Sequence, residues 1–203
     1  MARPREFDPE QALDRALSVF WAKGFEATSL DNLCEATGLG RSSLYAAFGD
    51  KRSLYMRALD RYENGAIGRI SATVAGARSP RAGIAAFVER IIEDIVAGPG
   101  RRGCFIGNCA AELERSDRKT AMRVGQSLAR VEATFRAALE EARKKGEIAR
   151  NADVDALARF LTAGIQGLRL VGKANPERAA LQAIARVMLS CLDAPATASS
   201  RGR

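Results

Sequence analysis

Histidine is absent from this chain of 203 residues. Its absence excludes the Ser-His-Asp and Cys-His nucleophile pairs, the HExxH metal site and any acid–base role for an imidazole. The chain also has no CxxC pair, no cysteine cluster with the spacing of a zinc site, and no glycine-rich phosphate loop of the GxGxxG or Walker type. We therefore expect no cofactor, no metal ion and no enzymatic activity.

Long apolar runs are missing as well. No stretch of about 18 consecutive apolar residues occurs, so no membrane span is expected. The first residues, MARPREFDPEQAL, lack the apolar core of a signal peptide. These absences predict a cytoplasmic location and no membrane partner. In that compartment the four cysteines are expected to be free thiols.

The charge of the chain is unevenly placed. The net charge is +8, and a basic balance is typical of proteins that bind nucleic acid. Residues 1–62, however, hold 9 Lys and Arg against 9 Asp and Glu, so this part is neutral. An argument for DNA binding therefore depends on individual residues and not on the overall charge.

The stretch from Thr28 to Lys51 has the pattern of two short helices around a glycine-containing turn. Thr28 is a predicted N-cap of the first helix, and Gly38 suits the left-handed residue that ends it. The second helix, Arg41 to Phe48, places apolar residues on one face and short or flat side chains on the other. Such a helix can lie close against a surface, and the arrangement predicts a helix-turn-helix whose second helix enters a DNA major groove.

This segment resembles the DNA-binding domain of TetR-family regulators. The resemblance covers about residues 9–62, and the matching positions are Gly24, Phe25, Thr28, Leu33, Ala36, Thr37, Gly38, Leu44, Tyr45, Phe48, Asp50 and Lys51. It implies a homodimeric, sequence-specific transcriptional repressor of double-stranded DNA. Such a protein binds a near-palindromic operator and is released by a small-molecule, electrophile or oxidant effector.

The resemblance also implies DNA-binding residues. Phosphate contacts are expected from Thr28, Tyr45 and Lys51. Base contacts are expected from Arg41, Ser42 and Ser43, since an arginine can bind guanine with two hydrogen bonds. The alternative for Tyr45 is a partly buried helix aromatic, and for Arg41 a phosphate contact or a solvated cap.

The rest of the chain has helical periodicity. Helices are predicted over Pro9–Lys23, from Lys51 to about Ala75, from Pro80, over Cys104–Leu113, from Asp117 to Gly146, from Asp153 to Lys173 and from Pro176. The predicted fold is all-α with about nine helices. Residues 1–50 form the helix-turn-helix domain, residues 51–75 a connecting helix within a regulatory and dimerisation domain over 51–193, and residues 194–203 a disordered tail.

The last two helices have more apolar perimeter than one small core needs, with a flat strip of small residues. Such strips permit close approach between helices. The resemblance to TetR regulators implies that these helices form a four-helix dimer interface. The predicted interface residues are Leu161, Gly164, Ile165, Leu168, Ile184, Val187, Met188 and Cys191.

An effector site is expected among the fourth to seventh helices. The predicted pocket residues are Phe87, Ile91, Phe105, Phe135 and Gln166, each of which is alternatively plain core. Cys104 follows two arginines and opens a helix, which favours a reactive thiolate and resembles the sensor of electrophile-responsive TetR regulators. Cys104 and Cys109 are therefore candidate sensors, while Cys34 and Cys191 are expected as small buried residues.

Two other functions remain open from the sequence. One is a thiol-dependent enzyme that uses Cys104 or Cys109 as its nucleophile, although the base it would need is missing. The other is an architectural DNA binder without a regulatory role, which the neutral charge of residues 1–62 disfavours.

Overall fold

The structure, a computed structural model, describes residues 7–112 and 118–193. Within these residues the chain has nine α-helices, one 3-10 turn at Pro99–Arg102 and no strand, as predicted for an all-α fold. The helices are α1 (Pro9–Lys23), α2 (Leu30–Thr37), α3 (Arg41–Phe48), α4 (Lys51–Gly76), α5 (Pro80–Ala97), α6 (Phe105–Glu112), α7 (Arg118–Lys144), α8 (Val154–Ala174) and α9 (Arg178–Ser190). The predicted disordered tail at 194–203 lies outside the described residues.

The helix boundaries follow local capping chemistry. Asp8 caps α1 by accepting a hydrogen bond from the N–H of Glu10, and Pro9 occupies the first helical position. Two predicted boundaries were wrong. The N-cap of α2 is Ser29 and not Thr28, and α9 begins at Arg178 and not at Pro176.

The described residues divide into two compact units. One contains the residues up to Gly68 together with Arg102–Ala129, and the other contains Arg69–Arg101 together with the residues from Arg130 onward. The division falls within α4 and within α7. The first unit continues past residue 50 and also includes α6, so its bounds differ from the predicted helix-turn-helix domain. The functional boundary at residue 50 stays a prediction.

The first unit has an aromatic core built from α1, α4 and α6. The ring of Phe105 packs edge-on against Tyr55 and Tyr62, with ring centroids 5.5 and 5.8 Å apart. Tyr55 in turn packs edge-on against Phe20 at 5.0 Å. The half-buried Trp21 contacts Tyr62, with ring centroids 4.8 Å apart. Each edge-to-face pair stabilises the core by about 0.5–1.5 kcal/mol beyond the contribution of the apolar area that it buries.

A buried charge joins α4 to α7 in the same unit. The carboxylate of Glu63 is fully buried and accepts hydrogen bonds from Arg123 at 2.8 Å and from the hydroxyl of Ser127 at 2.7 Å. Arg123 also pairs with Asp60. A buried carboxylate needs a facing cation, so this pairing sets how α7 packs on α4.

The second unit is built on the apolar faces of α5, α8 and α9. The buried side chains of α5 include Ile84, Phe87, Val88, Ile91, Ile92 and Ile95. Gly172 on α8 leaves room for Ile95, because a Cβ at this glycine would lie 2.8 Å from the isoleucine side chain. Gly164 makes the equivalent close approach to Met188 on α9, where a Cβ would lie 2.4 Å from the sulfur. These glycines let α8 pack closely on its neighbours within the subunit.

Candidate nucleic-acid interface

The turn between α2 and α3 is set by three local features. Ser29 and Asn32 form a reciprocal capping box at the start of α2, with hydrogen bonds of 3.1 and 3.3 Å. Gly38 ends α2 in the left-handed conformation with φ of 73°, as predicted. The hydroxyl of Thr37 donates to the carbonyl of Leu33 at 2.6 Å, and the N–H of Leu39 donates back to this hydroxyl at 3.3 Å. The turn therefore holds α3 in one direction.

Helix α3 is anchored by its inner face and leaves its outer face free. Leu44 and Phe48 are 2% and 4% exposed and pack into the first unit. The exposed residues of the helix are Arg41, Ser42, Ser43, Tyr45 and Ala46. Apart from the arginine and the tyrosine, these side chains are short, so a DNA groove can approach the helix backbone closely.

Arg41 forms an ion pair on the surface of the free protein. Its guanidinium lies 2.7 Å from the carboxylate of Asp31 on α2, and both side chains are exposed. The hydrogen bond and the charge of Asp31 raise the pKa of Arg41, which therefore stays charged. An exposed pair of this kind is weak and can exchange for a guanine or a phosphate.

Thr28 is not placed for the phosphate contact that the resemblance implies. Its side chain is 1% exposed, and its hydroxyl donates to the carbonyl of Gly24 at 2.5 Å. This hydrogen bond braces the loop between α1 and α2. We correct the prediction, since a buried and bonded hydroxyl is not available to a phosphate.

The start of α4 brings positive charge next to α3. Asp50 caps the helix by accepting a hydrogen bond from the N–H of Ser53 at 2.7 Å, and this bond lowers the pKa of Asp50. Lys51 follows directly, with its ammonium 4.4 Å from the centroid of the Phe25 ring. Arg52 lies 5.8 Å from the same ring and donates to the hydroxyl of Thr120 at 2.9 Å. Lys51 at a helix N-terminus is suited to hold a phosphate.

The two cysteines near α6 differ in their surroundings. Cys109 is fully buried, and the hydroxyl of Tyr55 donates to its sulfur at 2.9 Å. Burial raises the pKa of the Cys109 thiol to about 12, so this cysteine is protonated at neutral pH. A protonated, buried thiol disfavours Cys109 as a nucleophile, and its role as a sensor stays a prediction. Cys104, which precedes α6, is 8% exposed and remains a candidate.

The other two cysteines are not buried. Cys34 is half-buried and Cys191 is exposed, so the expectation that both are small core residues was wrong. All four cysteines are free thiols in the structure. Cys191 follows α9, where its exposure agrees with a place on an interface.

The residues predicted for the dimer interface fall on two faces of α8 and α9. Leu161, Ile165, Leu168 and Met188 are buried within the subunit, with 5% exposure or less. They are core residues, because α8 and α9 pack on α5 through them, and we correct their assignment. The outward face is apolar as well, and consists of Phe160, Ala163, Gly167, Leu170, Val171, Ile184, Val187 and Cys191.

The predicted pocket residues do not form one cluster within a unit. Phe105 belongs to the aromatic core of the first unit, whereas Phe87 and Phe135 contact each other in the second, with ring centroids 6.0 Å apart. Ile91 is buried and Gln166 half-buried. An effector pocket at these residues stays a prediction.

Sequence reasoning missed two residues that adjoin the interface. Glu112, in the last turn of α6, accepts a hydrogen bond from the backbone N–H of Phe25 at 2.9 Å. The sequence identified Phe25 only as one of the positions that match TetR-family regulators. No sequence signal predicts its contact with Lys51. No pattern in the chain connects Glu112 with a loop 87 residues earlier.

Two further absences concern only the described residues. Across residues 7–112 and 118–193, no group of three or more Cys, Asp or Glu side chains is arranged to hold a metal ion. In the same ranges, no helix is both long enough and apolar enough to cross a membrane.

Family models match both parts of the chain. Residues 12–58 match the model described as bacterial regulatory proteins of the tetR family, and residues 80–188 match a tetracyclin repressor-like C-terminal domain. Among curated proteins, the HTH-type transcriptional repressor ComR of Escherichia coli is 32% identical over 92% of this chain and 90% of its own length. The uncharacterized regulator YezE of Bacillus subtilis is 30% identical over 95% of this chain and 100% of its own length.

Solved structures share the fold. A cysteine mutant of the TetR regulator CifR, complexed with 26-base-pair operator DNA, is 30% identical with a TM-score of 0.82. The similarity covers 92% of this chain and 98% of CifR. The reduced form of Escherichia coli NemR has a TM-score of 0.81 over 93% of this chain and 98% of its own, and at 18% identity it shows the shared fold. This chain belongs to the TetR family of bacterial transcriptional regulators.

Proposed function

We propose that this regulator is a repressor that binds a near-palindromic operator as a homodimer, with α3 in the major groove. The observation that carries the proposal is the two-sided character of α3. Its inner residues Leu44 and Phe48 are buried. Its outer face is exposed, has mostly short side chains and lies next to the basic N-terminus of α4. The operator complex of the similar regulator CifR supports the same partner for this chain.

Individual residues have different roles in this proposal. Arg41, released from Asp31, reads a guanine in each half-site, with Ser42 and Ser43 beside it. Lys51 and the hydroxyl of Tyr45, which is 44% exposed, hold phosphates on either side of the groove. Phosphate contacts set the position of α3, and base contacts set the sequence preference.

A homodimer is supported by the outward face of α8 and α9. Leu170 and Val187 are 71% and 72% exposed in the single subunit, and Phe160 is 48% exposed. An apolar patch of this kind, on helices with small residues at Ala163 and Gly167, favours burial against a second copy. A dimer then presents two α3 helices to the two halves of one operator.

Release by an effector is the remaining part of the proposal. Cys104 stays the thiol to test, since burial keeps Cys109 protonated. On this proposal, Cys104→Ser binds the operator normally but is no longer released by an electrophile, whereas Cys191→Ser is still released. Release of Cys104→Ser at the parent's electrophile dose would leave a non-covalent ligand as the effector.

Two alanine variants and one control test the DNA-binding roles. Lys51→Ala should weaken binding equally across sequences and reduce the salt dependence by about one phosphate contact. Arg41→Ala should lose about 1–3 kcal/mol of discrimination at one position in each half-site. Lys145→Ala is the matched control, because it removes a lysine exposed far along the chain. The proposal fails if Lys51→Ala and Arg41→Ala both bind operator and random duplex like the parent.

The same experiment separates the alternatives. An architectural binder would show no preference for operator over random duplex, so Arg41→Ala would weaken binding to both alike and change no base preference. A thiol-dependent enzyme would show turnover that disappears in Cys104→Ser.

A further inference from the structure

An aromatic ring supports the phosphate-binding lysine. The ammonium of Lys51 lies 4.4 Å from the centroid of the Phe25 ring, which is within the range of a cation–π interaction. Lysine is a flexible point charge on a long stem, and holding it in one place costs conformational entropy. A ring beneath the ammonium reduces that cost before DNA arrives.

The Phe25 ring is supported from below. Its centroid lies 4.9 Å from the ring of Tyr55 and 6.4 Å from that of Phe20, and both of these residues are buried. Tyr55 donates its hydroxyl to Cys109 on α6 at 2.9 Å and packs against Phe105 on the same helix. The ring under Lys51 is therefore backed by α6.

The backbone of Phe25 is held by α6 as well. Its N–H donates to the carboxylate of Glu112 at 2.9 Å. Both carboxylate oxygens would lie 2.5 Å from a Cβ at Gly24, so the glycine leaves the space that Glu112 occupies. Gly24 also has φ of 79°, a conformation that other residues rarely adopt. From the other side, the hydroxyl of Thr28 donates to the carbonyl of Gly24.

We propose that Phe25 is a positioning residue for the Lys51 phosphate contact, and that Glu112 of α6 holds Phe25 in that position. The inference rests on the proposed DNA-binding function and adds a regulatory route to it. A change that withdraws Glu112 frees the Phe25 loop and loosens Lys51. DNA affinity then falls through a phosphate contact, while the outer face of α3 keeps its sequence preference.

The first test uses the free protein, so its result does not depend on DNA. A ring close to the lysine shifts the side-chain methylene resonances of Lys51 upfield in the NMR spectrum, and Lys51→Arg assigns them. Phe25→Leu, which removes the ring but keeps an apolar side chain, should abolish the shift. Phe25→Tyr should retain it. A Lys51 spectrum that is the same in the parent and in Phe25→Leu would refute the positioning role.

Glu112 has its own matched pair of variants. Glu112→Ala removes the acceptor and should reduce the upfield shift of Lys51, whereas Glu112→Gln keeps an acceptor oxygen at the same length and should preserve it. The residue is exposed, so neither variant disturbs the core. Equal spectra for the alanine and glutamine variants would remove Glu112 from the proposal.

The second test is a double-mutant cycle on operator binding. The strength of an exposed cation–π contact predicts that Phe25→Leu weakens binding about two- to five-fold, without changing base preference. In a Lys51→Ala background the same substitution should cost nothing further, because the group it positions is gone. A purely structural role for Phe25 would cost the same in both backgrounds and would refute the inference.

The cycle also distinguishes the inference from the function on which it rests. If Lys51→Ala binds operator like the parent, the phosphate contact itself is misassigned, and the role of Phe25 fails with it. If Lys51→Ala binds more weakly but the two substitutions are additive, the DNA-binding role stands and only the Phe25 inference is overturned.

Discussion

Replacing glycine by alanine is expected to affect stability differently at two positions on α8, Gly164 and Gly167. Gly164 faces Met188 within the subunit, where an added Cβ would lie 2.4 Å from the sulfur and 3.1 Å from the adjacent methylene. Gly167 is exposed, and an added Cβ there meets no atom within 4 Å. The residues lie one turn apart on one helix, so the change in helix propensity is the same for both.

The magnitudes follow from these distances. Replacing a helical glycine by alanine stabilises a helix by about 1 kcal/mol. At Gly164 this gain is opposed by overpacking against the buried Met188, which costs about 1–3 kcal/mol. Gly164→Ala should therefore be neutral or destabilising by up to about 2 kcal/mol, whereas Gly167→Ala should stabilise the subunit by about 1 kcal/mol.

Urea denaturation at a protein concentration below the dimer dissociation constant measures this difference. The two variants should differ in unfolding free energy by about 1–3 kcal/mol, with Gly167→Ala the more stable. Leucine extends the comparison to assembly, since Gly167→Leu adds bulk to the outward face and should weaken the dimer about five- to 150-fold in sedimentation experiments. Equal stability of the two alanine variants would refute the close packing of Gly164 against Met188. An unchanged dimer in Gly167→Leu would refute the outward face as the interface.

Four other predictions concern single features of the chain. Gly40 caps α3 without a side-chain hydrogen bond, so Gly40→Ser should raise the thermal midpoint through a gain of a few tenths of a kcal/mol, and a lower midpoint would contradict the cap geometry. A thiol reagent at pH 8 should label the exposed Cys191 of the monomer before Cys109, which should react only on unfolding. The raised pKa of Cys109 stabilises the fold below pH 9.0 and should make stability fall from there to about pH 12, because the unfolded thiol loses its proton first. Arg123→Ala should cost about 3–5 kcal/mol in urea denaturation, since it removes a cation that faces the buried Glu63. A loss below about 1 kcal/mol would contradict the role of Arg123 in balancing that buried charge.

The helix-turn-helix part of the fold, from α1 to the start of α4, could be predicted from the sequence because its signals are local. A proline at the first position of α1, a glycine after α2 and an aspartate before α4 each act on their own helix end. Leu44 and Phe48 are spaced by one turn, which predicts the buried face of α3 without knowledge of what covers it. Two residues were misplaced there. Cys34 is half-buried and not a core residue. Thr28 is not the cap, because Ser29 beside it has the same capping chemistry and the choice depends on backbone geometry.

The dimer interface on α8 and α9 was harder to predict, because helical periodicity shows that a face is buried but not which part of the protein covers it. Leu161, Leu168 and Met188 have the spacing of an interface, yet their own subunit covers them. Outward residues such as Leu170 and Val187 lie on the same helices but on their exposed face. Similarly, the raised pKa of Cys109 comes from burial beside Tyr55, a residue 54 positions earlier. Contacts of this range have no signature in one sequence.

Selection of binding sites from a random duplex library, with the purified full-length chain, tests the central claim most directly. The account predicts enrichment of a near-palindrome whose half-sites lie about one helical turn of DNA, or a multiple of it, apart. Repeating the selection with Arg41→Ala should relax one position in each half-site and leave the spacing unchanged. A library that shows no enriched site, or an enriched site that Arg41→Ala reproduces in full, would contradict α3 as the element that reads DNA.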